Sequence, residues 1–121
     1  MTNNQNYKNL KVWQESIVLV KETYLITKML PKDEIYGITS QISRAVVSIP
    51  SNIAEGQRRH SHKEFIHFLN IAIGSAGELE TQLIIVKEIY SLSIDLIISK
   101  LDLVTNMMLA LRKSIESKLS T

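Results

Sequence analysis

Apolar residues return every three or four positions along four long stretches of the chain, the spacing of one face of an α-helix. In the first, Leu10, Trp13, Ile17, Val20 and Tyr24 mark a helix over about residues 10–30, stopped by Pro31 because the residue before proline resists the α region. The second begins near Asp33, a residue suited to cap a helix after Pro31. Its face of Ile35, Ile38, Ile42, Val46, Ile49 and Ile53 keeps the period through Pro50, so Pro50 is expected to kink one helix rather than end it. Gly56 is its natural C-terminal residue. The third opens with Ser61-His62-Lys63-Glu64, the spacing of a capping box. It runs along Phe65, Phe68, Leu69, Ala72, Ala76, Leu79, Leu83, Val86 and Tyr90. The fourth runs from about Ser93 to Leu119 on Ile94, Ile97, Leu101, Val104, Met108, Leu111 and Ile115.

Short connectors place consecutive helices side by side in opposite directions. The expectation is an all-α protein: one antiparallel up-down-up-down four-helix bundle over residues 1–121, with a kinked second helix and a flexible lead at residues 1–8. Three of the helices also carry a second apolar stripe. It comprises Val12, Leu19, Ile26 and Leu30 in the first, Ile66, Ile73, Gly77 and Ile84 in the third, and Leu96, Leu103 and Met107 in the fourth. A surface helix needs one such stripe and a polar back. Either part of this surplus broadens the core of a single copy, or, as favoured here, it forms an interface between copies through Val12, Leu19, Ile26, Ile73, Gly77 and Leu103. Gly74 and Gly77 lie inside the third helix, where each costs about 1 kcal/mol against alanine. Close approach of another backbone would return that cost.

Composition narrows the chemistry. The chain has 121 residues, 45% hydrophobic but only 6% aromatic, so an aliphatic core is expected. There is no cysteine, which excludes disulfides, thiolate metal sites and cysteine nucleophiles. The net charge of +2 permits contact with polyanions without requiring it. No apolar run reaches the length of a spanning helix, and the polar start MTNNQNYKNL lacks the apolar core of a signal peptide, so a cytoplasmic location with no membrane contact is expected.

The stretch SIPSNIAEGQRRHSHKEF, residues 48–65, is the most unusual in the chain. His60, His62 and His67 do not follow a recognised metal-ligand spacing. Glu64 and His67 match the Glu-x-x-His pattern of a di-iron bundle, but the pattern occurs once where two are needed. No phosphate-binding glycine loop follows a strand, and no nucleophile, base and oxyanion donor assemble. Neither a metal, a cofactor nor a catalytic residue is expected. Asn52 and Glu55, with Gln41 and Ser48, form a polar stripe on the second helix, read here as a hydrogen-bond network that tethers the kinked helix to a neighbour. The structural motif is then Pro50, Asn52, Glu55 and Gly56. Arg58, Arg59, His60 and Lys63 cluster at the following corner. In an antiparallel bundle Lys8 and Lys11 would lie at the same end. These six are the candidate phosphate-contacting residues.

Several segments carry a resemblance. Leu10-Lys11-Val12-Trp13-Gln14, Glu34-Ile35-Tyr36-Gly37-Ile38 and Gln41-Ile42-Ser43-Arg44-Ala45 are three of them. The most specific are Ser48-Ile49-Pro50-Ser51-Asn52-Ile53-Ala54-Glu55-Gly56 and Gly74-Ser75-Ala76-Gly77-Glu78-Leu79-Glu80-Thr81. The chain resembles the bacterial four-helix-bundle family encoded by intervening sequences in 23S rRNA genes, also labelled ribosomal-protein-like. That family is similar in fold to the accessory variability determinant protein of diversity-generating retroelements, a positively charged pentameric barrel that works with a reverse transcriptase and nucleic acid. The resemblance implies a homopentamer, contact with RNA or DNA and no catalytic residue. The function expected is a non-enzymatic homo-oligomeric accessory protein. The alternative is an oligomeric scaffold that binds a protein partner such as a reverse transcriptase without touching nucleic acid.

Overall fold

A computed structural model describes residues 6–119. Four helices make up most of them, and there is no strand among the described residues: α1 at Lys11–Thr27, α2 at Ile38–Gln57, α3 at His62–Tyr90 and α4 at Asp95–Leu119. A one-turn 3-10 helix at Tyr7–Asn9 precedes α1, and the Asn6 side chain caps it by accepting from the Lys8 amide at 3.0 Å. Of the expected flexible lead, residues 1–5 lie outside the described residues, whereas Asn6 to Lys8 belong to this capped turn.

Two helix ends differ from expectation. α1 stops at Thr27 instead of Leu30, and Lys28 to Leu30 close a turn in which the Met29 amide bonds the Ile26 carbonyl at 3.0 Å. α2 begins at Ile38 instead of Asp33. Lys32–Glu34 form a separate 3-10 turn, and Gly37, at φ −115° and ψ −117°, breaks the helical path before Ile38. Ile35 therefore falls outside α2 and is 56% exposed rather than part of the core face. Beyond that point α2 passes Pro50 without interruption. α3 starts where anticipated, with one half of the expected capping box: Ser61 Oγ accepts from the Glu64 amide at 3.2 Å. Ser91, in the left-handed region at φ 57°, ends it.

The cores of α2, α3 and α4 follow their apolar periods. Ile42, Val46, Ile49 and Ile53 meet Leu69, Ala72, Ala76, Leu79, Leu83 and Val86, and then Ile97, Leu101, Val104, Met108 and Ile115. Phe65, Phe68, Tyr90 and Leu111 are only half-buried. α1 reverses the expectation. Its buried face is Val12, Ser16, Leu19, Thr23 and Thr27, continued by Leu30, while Trp13, Ile17 and Val20 are half-buried and Tyr24 is exposed. Three hydroxyl residues disguise this face as polar. Each bonds back to its own helix: Ser16 Oγ to the Trp13 carbonyl at 2.7 Å, Thr23 Oγ1 to Leu19 at 2.7 Å and Thr27 Oγ1 to Tyr24 at 2.9 Å. A hydroxyl satisfied in this way can be buried at little cost.

α1 packs on α2, α2 on α3, α3 on α4, and α4 back on α1. The contact between α2 and α3 is the most extensive. Gly56, inside the last turn of α2, explains part of that closeness. A Cβ there would stand 2.9 Å from Phe65 Cδ1 and 2.9 Å from Phe68 Cβ. This glycine serves close packing and not a left-handed helix end. The left-handed residue of the corner is His60, at φ 60°.

Candidate functional site

The corner between α2 and α3 is built by two helix ends four residues apart. Arg58 closes α2, its amide bonding the Ala54 carbonyl at 3.1 Å. His60 turns the chain and Ser61 starts α3, so Arg58, His60 and Lys63 are carried on one short turn and are all exposed. None of these three makes an ion pair among the described residues.

Arg59 behaves differently from the rest of the expected cluster. Its Nε donates to Glu55 Oε2 at 2.6 Å, its Nη1 to Glu64 Oε1 at 3.3 Å, and its guanidinium lies 5.0 Å from the Phe68 ring centre. The hydrogen bond to Glu55 holds its pKa above the ordinary arginine value, with the charge of Glu64 adding in the same direction. Two carboxylates thus share one cation, and the group acts as a clamp between the end of α2 and the start of α3. Glu64 does not complete a capping box, because its side chain is spent on Arg59. Charge clustering in the sequence signalled an arginine here but could not show that neighbouring acids neutralise it.

Lys8 and Lys11 are exposed near the start of the described residues. Lys11 pairs loosely with Glu15 at 3.6 Å. Tyr7, in the same 3-10 turn as Lys8, lines a groove with Trp13, Pro50 and Ala54, which brings this turn against the second half of α2. A second cleft, of about 460 Å³, opens beside the corner. It is lined by His60, His62 and Phe65 from the corner and by Leu111, Ile115 and Lys118 from α4. Lys118 therefore joins the basic end of the molecule, which the spacing along the chain did not reveal. Among the described residues no group of three or more histidines and carboxylates is placed to hold a metal.

The polar stripe of α2 divides in two. Ser48 Oγ meets Ser75 Oγ of α3 at 2.8 Å, and Asn52 Nδ2 donates to both the carbonyl and the hydroxyl of Ser48, at 2.8 and 2.9 Å. This is the tether expected beside Pro50. Glu55 is not part of it, since it is exposed and held by Arg59. A shallow cleft of about 380 Å³ follows the seam, with Arg44, Glu78 and Gln82 along it.

The residues expected at an interface between copies also separate. Val12 and Leu19 are 5% and 0% exposed, buried in the chain's own core, so they are corrected from interface to core. Ile26 and Ile73 are half-buried against that core. Gly77 and Leu103 face outward. So do Val18 and Leu25 of α1 and Met29 just after it, which the second-stripe reasoning missed because it assigned the faces of α1 in reverse, and Leu96 of α4, which that reasoning had included.

An all-α four-helix chain with a basic helix corner and several exposed large apolar side chains is the class these observations define. Residues 8–112 match the family described as 23S rRNA-intervening sequence protein, and the chain belongs to that family. A solved structure from Bacteroides thetaiotaomicron, of a protein with unknown function from the S23 ribosomal protein family, superposes with a TM-score of 0.62 at 23% identity. The match covers 91% of this chain and 99% of that one, and at this identity it speaks to the fold alone. No curated protein matches the chain. No helix among the described residues is long and apolar enough to cross a membrane.

Proposed function

We propose that this protein is a non-enzymatic, homo-oligomeric accessory protein, a pentamer as first choice, whose basic corner contacts RNA or DNA in the cytoplasm. Its bundle is up-down-up-down. The pairings of Ser48 with Ser75 and of Arg59 with Glu64, together with the cyclic packing of the helices, support that order. α2 bends at Pro50, where one intrahelical donor is missing.

The observation that carries the reading is the set of exposed cations that make no ion pair among the described residues at one corner: Arg58 and Lys63, with His60 between them and Lys8 on the turn packed near the end of α2. Phosphate contact needs charge of this kind and tolerates any base sequence. The family's description, which places its genes within 23S rRNA sequences, agrees with an RNA setting. One chain offers few contacts, and an assembly repeats them at high effective concentration. The exposed apolar residues of α1 and α4 support assembly.

The test is a salt titration of binding to structured RNA and to duplex DNA. With about three phosphates engaged by a single chain, raising salt from about 50 to 200 mM should weaken binding on the order of tens-fold, and more steeply where several chains of the assembly engage. Arg58→Glu with Lys63→Glu should abolish binding and leave mass and melting temperature unchanged. If wild type does not bind at low salt, or the double variant binds equally well, the corner is a solvated rim. A protein partner seated on the apolar surface then becomes the better reading.

A further inference from the structure

The outer surface has two features that complement each other. Between α1 and α2 runs an apolar groove of about 340 Å³, lined by Trp13, Ile17, Val20, Val47, Pro50 and Ala54. The cations on its α1 side, Lys21 within the helix and Lys28 at its C-cap, are exposed and make no ion pair among the described residues. The acids of α1 do not neutralise this edge. Glu15 pairs with Lys11, and Glu22 pairs with Lys100 of α4 on the opposite flank.

α3 presents the reverse. Its ridge facing away from the core carries Ile71, Gly74, Glu78, Ile85 and Glu88 at helical steps, all exposed. Glu78 and Glu88 make no ion pair among the described residues. Among the described residues, nothing beyond the neighbouring backbone of α3 itself lies within 4 Å of where a Cβ of Gly74 or Gly77 would be. Internal packing therefore gives no reason for two glycines in the middle of a 29-residue helix. A backbone approaching from outside does.

We infer that the α3 ridge of one copy lies in the α1–α2 groove of the next. The inference rests on the homo-oligomer proposed above and names the two faces that meet. The heights along the bundle agree. Glu78 stands one turn from Ser75, which meets Ser48, and it shares a cleft with Arg44. Val20 and Val47 line one groove, so Lys21 stands near that same level. Toward the far end, Tyr90 reaches Glu34, in the connection that follows Lys28, which brings Glu88 near the level of Lys28. Copies related by rotation about an axis along the bundle keep their heights. Glu78 of one copy then faces Lys21 of the next, Glu88 faces Lys28, and Ile71 enters the groove beside Pro50. Two different faces meet, so the contact is head-to-tail, and such contacts close into rings when the rotation allows.

Charge exchange tests the pairing. Wild type should have a mass several times 13.8 kDa in light scattering. Lys21→Glu with Lys28→Glu should fall to the monomer mass with helicity unchanged, and so should Glu78→Lys with Glu88→Lys. Combining all four substitutions in one chain should restore the wild-type mass. The chain has no cysteine, so Lys21→Cys with Glu78→Cys gives a second readout. A short bismaleimide should link this variant into a ladder of multimers, while either single cysteine gives none. An assembled wild type that ignores both charge reversals, or an assembled cysteine pair that yields no ladder, overturns the pairing and leaves the oligomer standing. A monomeric wild type overturns both and leaves the groove to a different protein.

Discussion

Tyr90 ties the last turn of α3 to the 3-10 turn between α1 and α2 by donating its phenolic hydrogen to Glu34. That bond, with some loss of hydration, pushes its pKa up to about 12. The bond stabilises the neutral phenol, so its contribution is complete below the ordinary tyrosine value near 10. It is lost as pH rises from there through about 12. Denaturant midpoints should decline across that window in wild type and decline less in Tyr90→Phe; equal slopes would show that the bond is absent in solution. Gly56 carries a different kind of constraint. Gly56→Ala places a methyl 2.9 Å from both Phe65 and Phe68, and overpacking of this sort costs about 1–3 kcal/mol. An unchanged melting temperature would mean that α3 gives way there. Individual residues were also where the sequence was least legible. The glycine was visible but its reason was not, because Phe65 and Phe68 reach it only through tertiary packing. Arg59 counted as a free cation until Glu55 and Glu64 proved to hold it.

At the scale of elements, periodicity located all four helices and the cores of three. It failed on α1 for a physical reason: a face containing Ser16, Thr23 and Thr27 looks wet in a hydropathy pattern, yet each hydroxyl is satisfied by its own helix. The outward face, with Trp13, Ile17, Val20 and Leu25, looks dry. The correction changes what a substitution should do. Leu19 is fully buried, so Leu19→Ala should cost about 2–5 kcal/mol in chemical denaturation. Unfolding, rather than selective loss of assembly, is the expected result of Leu19→Glu. A folded monomer from that charged variant would restore Leu19 to the surface. On α2, the stripe read as a tether beside Pro50 is half right. Ser48 and Asn52 form it and Glu55 does not. Asn52→Ala removes two hydrogen bonds to Ser48 and should cost about 1 kcal/mol. Glu55→Ala should act instead through Arg59 at the corner, with a smaller effect that shrinks in high salt.

For the whole molecule, the chain segregates its charge and its apolar surface in ways a single copy does not need. Among the described residues, cations without ion pairs border the α1–α2 groove, carboxylates without ion pairs stand on α3, and large apolar side chains such as Leu25, Met29 and Leu96 are more than half exposed. Gly74 and Gly77 separate a solvated ridge from a packed one. In an isolated helix each glycine-to-alanine change stabilises by about 1 kcal/mol, and the open space around both positions lets that gain appear in full. In an assembly whose neighbouring backbone lies against α3, the same methyl groups hold the copies apart. Gly74→Ala with Gly77→Ala should therefore have opposite effects in two backgrounds. In the monomer made by Glu78→Lys with Glu88→Lys, it should raise the denaturation midpoint. In the wild-type background it should raise the protein concentration needed for assembly, and the melting temperature should depend more steeply on that concentration. Sedimentation across a dilution series, with melts at each concentration, measures both. A variant that gains stability in both backgrounds and assembles at wild-type concentration would show that the α3 ridge faces water in the oligomer, and the glycines would then have no structural role on that face.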